Sequence, residues 1–164
     1  MAGIKKEFGP TARRLADSLR RIRRGQRITT AELSRRLTAL GQPIPDTGIT
    51  KTEQGTRRVD VDDLVAIALA LGITPNTLLM PEIDWIGAAT VHQLTPEVAG
   101  TAEELWQWAQ GERPLPAPVP ELPDPLEGNR VLEFTIRSRP YLLSPRVPDG
   151  TERELADLAA ALQR

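Results

Sequence analysis

Arginine is the residue type through which this chain could do chemistry. Five adjacent pairs, Arg13/Arg14, Arg20/Arg21, Arg23/Arg24, Arg35/Arg36 and Arg57/Arg58, fall within 46 residues. A guanidinium is a permanent cation whose planar donor fork matches phosphate and carboxylate oxygens. One such pair is ordinarily a solvated helical face, but a set of five in a strongly basic stretch points to a polyanion. Residues 1–58 carry 14 Lys or Arg against 5 Asp or Glu, a net of +9, and residues 59–164 carry 7 against 17, a net of −10. The basic part suits nucleic acid and the acidic part would be repelled by it, although the whole chain sums to only −1.

Other chemistries find little support. Without cysteine there is no thiol nucleophile, thiolate metal site or disulfide. The single histidine, His92, makes no His-based metal site and reads as a surface or half-buried residue. Asp60, Asp62 and Asp63 resemble a carboxylate cluster but stand where a helix starts, so they are expected as cap and dipole partners. Trp106 and Trp108, two positions apart, cannot share one helical face. One could pack on the core while the other meets a partner, a ligand or the proline segment. Residues 82–164 contain no phosphate-cradling glycine loop, so no enzyme, cofactor or metal is expected. The longest apolar run, Leu64 to Leu71, is far short of a membrane span. "MAGIKKEFGP" lacks the apolar stretch of a secretory signal, so a cytoplasmic protein with no membrane partner is expected.

Elements that could position the arginines are marked by helix caps. Residues 11–79 read as five short helices, the first from about Pro10/Thr11 to Arg24 with Leu15, Leu19 and Ile22 at helical spacing. In "ITTAEL", Thr29 is an N-cap, Glu32 stands at N3, and Ile28 and Leu33 form a hydrophobic staple. Leu33, Leu37 and Leu40 follow on one side, and the helix ends near Gly41. "VDVDDL" repeats the device with Asp60, Asp63, Val59 and Leu64, before "DLVAIALALG". "ITPNTLL" repeats it again, with Thr74 as cap and Pro75 at N1.

Between the second and fourth helices lies "PIPDTGITKTEQGTRR", in which only Ile49 is apolar from Asp46 to Arg58. A helix with so little propensity must be held by its neighbours. A polar helix after a helix and a turn suggests helix-turn-helix, whose second helix enters the DNA major groove. Its outward face must be polar because base edges and phosphates are read through hydrogen bonds. Ile49 would then be the core anchor, with Thr52 beside it.

"ITTAELSRRL…GITKTEQGTRRVDVDDLVAIALALGITPNTLL" resembles the Xre/Cro-type, lambda-repressor-like helix-turn-helix domain over about residues 11–80. The I-x-x-x-E-x-G core stands here as Ile49, Glu53 and Gly55, followed by a basic loop and the pattern of the last two helices. "WQWAQGERPLP" and "SRPYLL" resemble regulators common in high-GC actinobacteria and their phages. The resemblance implies that Thr29 and Thr30 lie on the DNA backbone, where helix N-terminal amides meet phosphate. It places Asp46, Thr47, Gly48, Thr50 and Lys51 in the groove, and Thr56, Arg57 and Arg58 on phosphate. Arg35 joins this DNA-binding set, whereas Glu53 is implied to tie down backbone or an arginine. Three features depart from the pattern: "TALGQPIPDTG" is about three or four residues longer than the usual turn, Ser34 replaces alanine, and Gly48 removes a side chain from a reading position.

The expected architecture is mainly α, with a five-helix lambda-repressor-like DNA-binding bundle over residues 1–81. Residues 82–164 form an acidic, Pro-rich, partly irregular C-terminal region serving partner contact, dimerisation or regulation. In that region residues 96–110 read as a helix, "PLPAPVPELPDP" (114–125) as a linker or strap, "RVLEFTIRS" as a strand, and residues 151–164 as an amphipathic helix. The expected function is sequence-specific double-stranded DNA binding by a transcriptional repressor, with a homodimer through the C-terminal region. The alternative is a protein-interaction module, such as an antitoxin or phage accessory factor, that keeps the bundle as scaffold.

Overall fold

The computed structural model describes residues 8–83, 90–116 and 130–139. It is mainly helical and divides into two compact units, Met1–Ala102 and Glu103–Arg164. The boundary drawn from composition at 81/82 thus falls inside the first unit. No helix among the described residues is long and apolar enough to cross a membrane.

The first unit contains α1 (Pro10–Gly25), α2 (Thr30–Ala39), α3 (Asp46–Glu53), α4 (Val61–Leu71), α5 (Pro75–Leu79), β1 (Val91–Gln93) and β2 (Ala99–Thr101). The helices bury one core, in which Leu19, Leu33, Leu37, Ile49, Ile67 and Leu78 are almost fully enclosed. The caps form as their spacing requires. Thr29 Oγ1 accepts from Glu32 N at 3.1 Å, and Asp60 Oδ1 accepts from Asp63 N at 2.8 Å. Thr74 occupies the N-cap of α5 but contacts the Thr77 hydroxyl at 3.1 Å instead of a backbone amide. Gly72 ends α4 at φ 68°, the left-handed conformation that a glycine adopts without strain.

The long turn between α2 and α3 is built into the core. Ile44 is 2% exposed, and Ser34 Oγ donates to the Ile44 carbonyl at 2.7 Å. A Cβ on Gly48 would lie 3.1 Å from Ile44 Cγ2 and 3.4 Å from Pro45 Cδ. The turn's extra length, the serine and the glycine are therefore one device. The extended turn drives an isoleucine inward, the hydroxyl satisfies its carbonyl, and the missing side chain leaves it room.

β1 and β2 form an antiparallel hairpin with His92 opposite Gly100. Sequence patterning did not mark it, since each strand has only three residues and β2 is Ala-Gly-Thr. Thr95 Oγ1 accepts from Val98 N at 3.1 Å and closes the turn. The hairpin is tied to α1, where Thr11 Oγ1 donates to Leu94 O and Arg14 Nη2 donates to Gln93 O at 2.7 Å.

In the second unit, the helix expected over 96–110 is α6 (Ala102–Ala109), shortened because 99–101 pair in the hairpin. Leu105 is buried, Trp106 half-buried and Trp108 37% exposed, so the two indoles differ in environment. "RVLEFTIRS" is not a strand but α7 (Arg130–Ser138). Its alternating apolar residues also fit a helix: Leu132 and Ile136 are four apart, and Arg137 pairs with Glu133 at 2.5 Å across one turn. Gly111, at φ 71°, follows α6, and a Cβ there would meet Ser138 Cβ at 2.7 Å. Arg139 Nε donates to Gln110 O and Arg139 Nη2 to Glu112 at 2.9 Å, tying the turn to the end of α7. The helix expected at 151–164 and most of the Pro-rich segment (117–125) lie outside the described residues.

Candidate nucleic-acid interface

On α3 the inward and outward residues separate cleanly. Gly48, Ile49, Thr52 and Glu53 are buried, whereas Asp46, Thr47, Thr50, Lys51 and Gln54 are exposed. At about 100° per residue, the five exposed positions span roughly 140° of the helix circumference, with Gln54 near the centre. Gly48, expected in the groove, lies instead on the buried face against Ile44. Gln54 was missed because it falls at the helix C-cap, past the Glu53 that closes the motif.

A buried ion pair holds this polar helix down. Arg23 Nε and Nη2 donate to the two Glu53 oxygens at 2.6 and 2.9 Å, and Arg23 Nη1 donates to Ile28 O at 2.7 Å. The bidentate fork leaves Arg23 and Glu53 only 8% and 7% exposed. Hydrogen bonding to Glu53 raises the Arg23 pKa above its ordinary value, outweighing the opposing effect of burial. Glu53 thus ties down an arginine, in the role that the resemblance implied.

Local bonds order the ends of α3. Asp46 Oδ1 accepts from Thr47 N at 2.7 Å, and Thr50 Oγ1 donates to Asp46 O at 3.0 Å. After Gly55, at φ 67°, Thr56 N and Oγ1 both donate to Lys51 O, at 2.8 and 3.0 Å. Thr56 therefore closes the helix C-terminus, while its oxygen lone pairs stay available as acceptors.

Arginines expected on DNA divide into committed and free groups. Arg57 Nη2 donates to Asp63 Oδ2 at 2.7 Å, and Asp63 is 2% exposed. Gln42 Nε2 donates to Asp63 Oδ1 at 2.9 Å, so one carboxylate joins the loop after α3, the turn before it and the start of α4. This places Arg57 in an internal clamp. Arg58 lies over the Phe8 ring, 5.0 Å from its centroid. On α2, Arg35 and Arg36 both pair with Glu32, Arg36 at 2.9 Å, and Arg36 also donates to Ala70 O at 3.1 Å. The hydrogen bond from Arg36 is the main reason that the Glu32 pKa lies below its ordinary value. Thr29 spends its oxygen on the cap, and Thr30 beside it is half-buried.

On α1, Arg14 donates to Leu79 O and Gln93 O, and burial lowers its pKa. Arg20 pairs with Asp17 at 3.5 Å and Arg21 with Glu82. Lys51, Arg13, Arg24 and Arg27 are exposed cations without a side-chain partner among the described residues. Of the expected site residues, the structure brings Asp46, Thr47, Thr50 and Lys51 onto one face. It does not bring Gly48 or Arg57 there.

Comparison of the chain with protein-family models, curated proteins and solved structures finds no match.

Proposed function

We propose that this chain is a sequence-specific double-stranded DNA-binding transcriptional regulator, a repressor of the Xre/Cro-like helix-turn-helix kind, that reads the major groove with α3. The observation carrying this reading is the division of α3. One face is wholly committed to the core and a buried Arg–Glu fork, and the other offers only Asp46, Thr47, Thr50, Lys51 and Gln54. Such a face adds nothing to the core, but it supplies the donors and acceptors that base edges require. Gln bonds bidentately to adenine, Lys donates to guanine, and Asp accepts from a cytosine amine. Phosphate contacts from the exposed cations and from the N-terminus of α2 would position the helix.

The test is selection of bound duplexes from a random pool by the full chain. The expected result is one enriched motif, palindromic if two chains read two half-sites. Lys51→Ala and Gln54→Ala should each relax preference at a different base pair. A pool that stays random, or unaltered motifs in both variants, would sink the proposal.

A second reading is favoured by the internal pairing of Arg57, Arg35 and Arg36, which removes cations from the expected phosphate contacts. On that reading the bundle is scaffold for a protein-interaction module, such as an antitoxin or phage accessory factor. Binding to duplex DNA that shows no sequence preference and no more affinity than charge alone provides would favour it.

A further inference from the structure

We propose that the first unit pairs with a second copy of this chain through the outer face of α4, the two α4 helices lying antiparallel about a two-fold axis near Val65. The exposed side chains of α1 are all charged: Arg13, Asp17, Arg20, Arg21 and Arg24. α4 departs from that pattern. Every residue from Leu64 to Leu71 is apolar, although Ala66, Ile67, Ala68, Ala70 and Leu71 already fill its inner side. A helix that is apolar all round belongs in a buried position, yet Val61 is 75% exposed, Val65 44% and Leu69 62%. Spaced by four, these three drift only about 40° per step and form one stripe about 12 Å long. The end of α2 and the turn after it run beside α4, since Arg36 Nη1 donates to Ala70 O at 3.1 Å and Gln42 Nε2 to Asp63 Oδ1 at 2.9 Å. Leu40, between those anchors, is 49% exposed and adds to the apolar surface.

Charge at the two ends of the stripe selects the occupant. At the N-terminal end, Asp60 and Asp62 are exposed and have no cationic partner among the described residues. At the C-terminal end, Arg35 and Arg36 share the single Glu32, which leaves a net positive charge beside Ala70 O. An antiparallel second copy sets the acidic end of each α4 against the basic end of the other and opposes the two helix dipoles. A parallel copy would set like charges together. The surface is thus complementary to itself, as an isologous interface requires. A single helix pair buries less than a standard interface, so the association should be weak, in the micromolar range. This inference goes beyond the DNA-binding reading and does not depend on it, and it puts self-association in the first unit instead of in residues 82–164.

Sedimentation equilibrium of the full chain without DNA, at concentrations up to about 200 µM, tests the pairing. A monomer–dimer equilibrium is expected. Val65→Lys, which sets two like charges at the two-fold axis, should weaken it at least about tenfold in a protein shown by circular dichroism to be folded. The chain has no cysteine, so single-cysteine variants report the geometry without interference, and they serve if Val65→Lys does not fold. With a short bis-maleimide, Val65→Cys should link to itself. Val61→Cys should link to Leu69→Cys in a mixture, and neither should link to itself. A chain that stays monomeric throughout leaves the stripe to some other partner and overturns the proposal. Undiminished dimerisation in folded Val65→Lys, or Val61→Cys linking to itself as readily as to Leu69→Cys, would overturn it equally.

Discussion

Lys51 and Arg57, six residues apart, do different work. Lys51 extends from the exposed face of α3 without an ion-pair partner among the described residues, whereas Arg57 is bonded to a carboxylate that is 2% exposed. Lys51→Ala should change stability by no more than about 0.5 kcal/mol, as surface substitutions do, while weakening DNA binding and altering base preference. Arg57→Ala should cost about 1–3 kcal/mol, because Asp63 keeps Gln42 but loses its cation. Urea denaturation of both variants, set beside duplex titration, separates these outcomes. Equal stability losses would place the clamp wrongly. The resemblance implied both residues on DNA, Lys51 in the groove and Arg57 on phosphate. What it could not supply was the fold of the loop after Gly55, which returns Arg57 to Asp63 at the start of α4. That Glu53 ties down backbone or an arginine was implied by the resemblance alone, and its partner Arg23, 30 residues away, came only with the fold.

At the level of elements, the caps were the most legible feature, since an N-cap and its N3 amide lie within one turn of sequence. Thr29 and Asp60 both close their helices as their spacing predicts. The hairpin and α7 were not legible, for opposite reasons. The three-residue strands carry too little β-branched content, whereas "RVLEFTIRS" fits both periods and becomes a helix through pairs four residues apart. The turn before α3 depends on three separated residues at once. Ser34→Ala should cost about 1 kcal/mol by orphaning the Ile44 carbonyl. Gly48→Leu should cost about 1–3 kcal/mol by overpacking Ile44. Thermal unfolding measures both, and a neutral Gly48→Leu would mean that the turn is free to move away. On α2, Glu32 adds an acid-sensitive contribution. Its pKa is depressed in the fold, so the stabilisation is present above the ordinary value of 4.5 and is lost as pH falls through the lower folded value. Glu32→Gln should lower stability slightly at neutral pH, leave it little changed at a pH below the folded value, and so remove that part of the acid dependence, as pH-resolved melting curves would report.

Across the whole molecule, net charge overstates the cations available to a polyanion. Residues 1–58 contain 14 basic side chains, but many are committed: Arg14 to backbone carbonyls, Arg23 to Glu53, Arg35 and Arg36 to Glu32, and Arg57 to Asp63. The charge boundary at 58/59 cuts through the Arg57–Asp63 clamp, so the acidic stretch begins by neutralising the basic one. In the first unit, Arg13, Arg24, Arg27 and Lys51 are exposed and without a side-chain partner among the described residues. If these four set the number of phosphate contacts, the slope of log affinity against log salt should be about −3.6, given roughly 0.9 counterions released per contact. Raising salt from about 50 to 200 mM should then weaken binding by about 150-fold. Fluorescence anisotropy of the full chain on a labelled duplex measures this slope directly. A slope near −12 would mean that the paired arginines release their carboxylates for phosphate, contradicting the clamp roles given to Arg57 and Arg23. A slope near zero would remove phosphate contact altogether, and with it the proposal that α3 is delivered to a groove.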